Sequence, residues 1–180
     1  MIYKRISILI IVSIFTVGTL LSQESESCQE GIDKADLTKN AFLAKDPGLE
    51  NFFDEAYGYA IIPTVGKGGF IFGGAGGVGI LYLEGEPMGT IKMKQVTVGA
   101  QIGGKTYSEV ILFNTKAEYI VFTSGRFEVS AQVSAIAATA GVSQTLAYSD
   151  GILILTLAKG GFMAEASVGG QKFSFQPFEE

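Results

Sequence analysis

"GKGGFIFGGAGGVGILY", residues Gly66–Tyr82, places eight glycines in seventeen positions, and its reading decides the fold. Gly74, Gly76 and Gly79 spell the pattern G-x-G-x-x-G. That spelling binds a dinucleotide only where a strand and a tight turn lead into a helix whose N-terminus meets the pyrophosphate. Here Gly79 is followed by "ILYLEGEPMG", a short apolar strand and a turn, with no room for a helix. A Walker A loop fails too, because Lys67 is followed by glycine where serine or threonine is needed. The stretch therefore reads as bent, closely packed β backbone, where glycine's entropic cost is tolerated because strands approach closely or bulge. Gly68, Gly69, Gly73, Gly74, Gly76, Gly77 and Gly79 are expected to be structural, as are Gly160 and Gly161.

Working outward, glycine, β-branched and aromatic residues dominate after Pro63, which predicts short strands. They are expected near 59–62, 69–73, 76–83, 90–103, 107–113, 126–138, 150–157, 160–169 and 171–176. Upstream, 28–44 reads as a helix with Ile32, Ala35, Leu37, Phe42 and Leu43 as its apolar positions. Asp46-Pro47 then marks a second helix start, with Asp46 as cap and Pro47 at the first helical position. Leu49, Phe52, Phe53 and Ala56 form its stripe, and Gly58 ends it. "NTKAEYIVFTSG" predicts a third, short helix between Asn114 and Gly125. The expected class is α+β: a β-rich domain of short, twisted, Gly-rich antiparallel strands, two N-terminal helices and one internal helix.

The front of the chain differs from the rest. "MIYKR" and the uncharged "ISILIIVSIFTVGTLL" precede the acidic "SQESESCQE", the order of a secretory signal. The expected organisation is a signal peptide over 1–22, a flexible mature N-terminus over 23–30, and a single domain over 31–178. Export to the periplasm or beyond follows from it. Cys28 is the sole cysteine, so no intrachain disulfide can form. Ser25-Glu26-Ser27 before it does not suit lipidation.

Net charge is −5 over 180 residues, and the acids concentrate ahead of Ala56. The basic footprint of a nucleic-acid binder is absent, so no nucleic-acid partner is expected. The chain has no histidine, which removes the Ser-His-Asp and Cys-His arrangements and the usual zinc sets. Glu84 and Glu86 share a Gly/Pro turn, where exposed acids need no catalytic explanation. No enzyme, cofactor or metal is expected.

The lysines carry more information. Lys67-Gly68-Gly69-Phe70 reappears as Lys159-Gly160-Gly161-Phe162, which suggests two comparable lysine-bearing turns. Lys92, Lys94 and Lys105 flank "QVTVGAQIGG". Lysine suits phosphates as a mobile point charge, and glycine-turn N–H groups can assist. Lys67, Lys92, Lys94, Lys105 and Lys159 are the candidate headgroup contacts. The competing reading has them solubilise an apolar β domain and block edge pairing. Phe70, Phe72, Tyr82, Phe113, Tyr119 and Phe122 are expected in the core. Phe162, Phe173, Phe175 and Phe178 include candidates for exposure at an interface.

Four ordered segments carry a resemblance: "AYGYAIIPTVGKGGFIFGGAGGVGILY", "GTIKMKQVTVGAQIGGKTYSEVILFN", "FEVSAQVSAIAATAG" and "AYSDGILILTLAKGGFMAEASVGG". With the Asp46-Pro47 helix they span about 31–175, and over that range the chain resembles the SYLF domain family, the Ysc84-like actin-binding or lipid-binding domains. The resemblance implies a non-enzymatic domain that binds membrane lipid, with anionic phospholipid as the expected ligand of an exported member. Its actin role is not carried over to a chain expected outside the cytoplasm, so actin is not expected as a partner. "AATAGVSQ" and the apolar "YSDGILILTLAKGGF" depart from the family pattern. The alternative function is an envelope structural or protein-interaction module without specific lipid binding. A membrane β-barrel is disfavoured by strands shorter than a barrel needs and by helices at 31–57 and 115–124.

Overall fold

The computed structural model describes residues 26–125, 128–129 and 135–178. The expected signal segment lies outside the described residues. Helix α1 covers 26–45 and α2 covers Leu49–Glu55. Strands β1 (Gly58–Gly69), β2 (Phe72–Leu83) and β3 (Glu86–Phe113) follow, then α3 (Lys116–Thr123). Two short strands, β4 (Glu128–Val129) and β5 (Ile136–Ala137), and a 3-10 turn at Val142–Thr145 lead into β6 (Ile152–Pro177). The fold is α+β, with a largely antiparallel sheet in the order β1-β2-β3-β6-β4 and β5 joining β6 in parallel.

Several runs expected as separate strands are continuous. β3 has 28 residues and β6 has 26, and they pair from Gly89↔Pro177 to Phe113↔Ile152. The first half of β3 pairs with β2 and its second half with β1, while β1 and β2 pair with each other. β3 therefore curls around the β1–β2 hairpin and closes the three strands on themselves. Gly103, at φ +112, lies in the stretch where β3 passes from one partner to the other. The glycines bend strands here without ending them. At the centre of the hairpin there is no space for a side chain: a Cβ on Gly77 would lie 2.6 Å from Ile62 Cγ2, and one on Gly79 would run into the Ile61 carbonyl. This is the close approach of β1 and β2 at the register shift between Ile61 and Thr64.

Alternation splits the sheet into two faces. The inner face packs Ile62, Leu81, Ile91, Ile111, Phe113, Ile154 and Phe173 together and is closed at one end by Tyr119 and Phe122 of α3. The outer face places Tyr59, Ile61, Ile80, Tyr82, Val110, Leu112, Leu153 and Leu155 under Phe42 of α1 and Leu49 and Phe53 of α2. Each fully buried side chain of this size contributes about 1.5–3 kcal/mol. A polar clasp fixes α1: Tyr82 Oη donates to Asp36 Oδ1 at 2.9 Å, and Lys39 Nζ lies 4.8 Å over the Phe53 ring. Tyr59 and Tyr82 stack at 4.8 Å, and burial pushes the Tyr59 hydroxyl up to about 12.

Local details depart from expectation in ways that packing explains. Asp46 does not cap α2; Gly48 occupies that position. The Asp46 carboxylate instead accepts from Ser143 N–H at 2.7 Å and Gly48 N–H at 3.0 Å, which pins the α1–α2 corner to the 3-10 turn. Those bonds, the Ser143 one foremost, hold its carboxyl below the usual value. The cap of α3 is Thr115, one residue after Asn114, in a reciprocal capping box with Glu118. Leu37 faces solvent, and the helix expected from residue 28 already covers 26 and 27. Phe70 and Phe72 are not core residues: they are 66% and 73% exposed, because the β1–β2 tip projects beyond the helices. Tyr82, Phe113, Tyr119, Phe122 and Phe173 are buried, and Phe175 and Phe178 are partly so. The side chain of Phe162 lies outside the described ones.

Candidate functional site

The β1–β2 turn carries Phe70, Ile71 and Phe72, all exposed. Strand pairing aligns Phe72 with Val98 and Gly74 with Val96, so the outer face of β3 continues the apolar end. Val96 is 70% exposed, and Val98 and Ile102 are exposed as well. Further along that face come Lys94, opposite Gly76, and Lys92, opposite Val78. The alternate residues Val98, Val96, Lys94 and Lys92 thus step about 7 Å each from an apolar tip to a cationic row. Glycine at 74 and 76 leaves no side chain beside Val96 or Lys94 on β2. On the other side of β3, Lys94 is paired directly with Lys172 of β6. On its other side Lys172 is in register with Glu128 of β4, so the row combines the two lysines with one acid at its edge.

The remaining candidate lysines lie elsewhere. Lys67 and Lys105 are cross-strand partners on the inner face, a second Lys–Lys pair. Both line an open cleft of about 1020 Å³ together with Lys45, Gln95, Glu109 and Gln171. Lys159 is exposed on β6 and donates to Thr64 Oγ1 at 3.1 Å. The two Lys-Gly-Gly segments are strand, not turn: residues 67–69 and 160–161 flank 103–106 of β3 from opposite sides. The five candidates therefore divide into an outer pair, an inner pair and a hydrogen-bonded side chain. Lys172, Phe70, Ile71 and Phe72 complete the outer site and were not among the candidate contacts. Only the alternation of "VTVG" with the upstream "KMKQ" signalled that an apolar and a cationic step share one face.

Glu109 sits at the floor of the cleft, 1% exposed, accepting from Gln171 Nε2 at 3.1 Å. Burial pushes its carboxyl up to about 7, against the smaller opposing effect of that bond. Among the described residues no group of three or more His, Cys, Asp or Glu is placed to hold a metal ion. Glu84 and Glu86 stand exposed at the β2–β3 turn, far along the hairpin from the tip.

Residues 94–177 match the family model Ysc84, described as "Las17-binding protein actin regulator". This part of the chain, from Lys94 through α3 to the end of β6, carries the Ysc84/SYLF domain match. The chain is also similar to Beta cell expansion factor A of Aeromonas veronii, at 29% identity over 140 residues. That alignment covers 77% of this chain and 53% of the relative, so the chain spans about half the length of the curated relative it matches. The family description corrects one expectation. The sequence reading does not expect actin as a partner, whereas the matched family is described as an actin regulator, which implies an actin-related partner.

Proposed function

We propose that the protein is a non-enzymatic, exported domain that associates peripherally with anionic phospholipid through the β1–β2 tip and the adjoining face of β3. The observation that carries this reading is the exposed apolar end of Phe70, Ile71, Phe72, Val96 and Val98 with Lys94, Lys92 and Lys172 directly behind it. An apolar end enters the boundary between headgroups and acyl chains, and lysines set back by one or two strand steps meet the phosphates. Each such lysine adds about 1 kcal/mol near an anionic surface. No helix among the described residues is long and apolar enough to cross a membrane. Helices α1 and α2 cover the outer face beside the tip, which suits contact by the tip rather than by the whole sheet.

Co-sedimentation with phosphatidylglycerol vesicles, at low and high salt, tests the reading. The protein should pellet at low salt, less at high salt, and not with neutral phosphatidylcholine. Equal recovery in every supernatant would refute it. The family description supports a second reading, an actin-related protein partner acting through the β3–β6 half that the match covers. Pelleting with filamentous actin in the absence of lipid would favour it.

A further inference from the structure

The cleft on the inner face is a second site of different chemistry. Gln95 and Gln171 are direct cross-strand partners, and Gln171 reaches across to Glu109. Three buried oxygens in this group, Gln95 Oε1, Glu109 Oε1 and Gln171 Oε1, have no hydrogen-bond partner among the described residues. Gln171 is only 8% exposed and Glu109 less, and all three residues line the cleft. A buried polar oxygen left without a partner is destabilising, so three on adjoining strands form an expensive arrangement for a purely structural core. Isosteric apolar residues would be cheaper there. The remedy the site calls for is a set of donors.

Charge narrows the choice. Lys45, Lys67 and Lys105 line the same cleft, so an ammonium or metal cation would meet three positive side chains on entry. Hydroxyl groups donate without carrying positive charge. The cleft's size matches small-molecule sites, and its walls include Ala135, Ala138, Leu157 and Ala158, against which a carbon skeleton can lie. We infer that this cleft binds a hydroxyl-rich ligand, a sugar or polyol, whose hydroxyls donate to Gln95 and Gln171 and share a hydrogen bond with the Glu109 carboxyl, as donor or acceptor. This site is separate from the tip and does not depend on the membrane reading.

Titration of the 15N-labelled protein with glucose and with glycerol, followed at the glutamine side-chain amides by NMR, tests the inference. Saturable shifts of the Gln95 and Gln171 amides are expected, with none from ethylamine or inorganic phosphate. Gln95→Met keeps the side-chain length and removes one orphaned oxygen. It should weaken binding by about tenfold and leave the melting temperature unchanged or raised. A hydroxylated lipid headgroup offers the same chemistry: phosphatidylglycerol bicelles would then shift the amides while the soluble probes would not. The double variant Phe70→Ser, Phe72→Ser should leave any response to soluble probes intact. Amides silent to every hydroxylated probe, free or lipid-borne, would overturn the inference. So would an equal response to ethylamine or to phosphate alone.

Discussion

Glu109 shows what one side chain can impose on this fold. It falls in the alternation Tyr107, Glu109, Ile111, Phe113, so a carboxyl is placed on a face otherwise built from apolar residues. Its pKa stands at about 7 in the fold against an ordinary value of 4.5. The folded protein therefore keeps a proton that the unfolded chain releases. Stability is fully present below about pH 4.5 and falls as pH rises toward 7, by something on the order of 3 kcal/mol. Glu109→Gln removes the titration, so urea midpoints measured across that window should flatten and the variant should be the more stable protein near neutrality. Parallel curves for the two proteins would show that Glu109 is not the responsible group. At Gly79 the constraint is steric. Gly79→Ala would drive a methyl into the Ile61 carbonyl and should cost roughly 1–3 kcal/mol, read as a lower urea midpoint at unchanged slope.

Elements were legible where local chemistry speaks for itself. The α3 segment announced itself through a polar cap followed by apolar residues, and the structure moved the cap by one position to Thr115. Thr115→Ala removes half of the capping box and should lower stability by about 1 kcal/mol, measurable as a lower melting temperature. Strand continuity was not legible. "GAQIGGK" and "LAKGGF" contain the residues that end strands in most proteins, and only long-range pairing of β3 with β6 carries the ladder through them. The same gap hid the site. Phe70 and Phe72 have core composition, and their exposure depends on how far the β1–β2 hairpin extends past α1 and α2, which no local pattern records. The pairing of Lys67 with Lys105 was hidden for a related reason: the two meet only where β3 curls back onto β1. Glu109 was within reach of sequence reading, since a carboxylate in register with Ile111 and Phe113 marks either a turn or a buried polar site.

At the scale of the whole molecule, one sheet serves two ends. The end capped by α3 and clasped by α1 and α2 is a closed apolar core, which holds stability. At the opposite end no helix among the described residues covers the sheet, and there the same strands present apolar residues outward and lysines just behind. Because the tip contributes little to the core, Phe70→Ser with Phe72→Ser should leave the melting temperature unchanged while reducing vesicle binding. Lys92→Ala with Lys94→Ala should remove about 2 kcal/mol of membrane affinity, chiefly the salt-sensitive part. Insertion of the tip is measured most directly with an environment-sensitive dye at Ile71→Cys in a Cys28→Ser background. Glu84→Cys, at the other end of the hairpin, is the control. Anionic vesicles should shift the emission of the dye at position 71 to the blue and leave position 84 unchanged. No shift at 71, or the same shift at both positions, would contradict membrane docking by the tip.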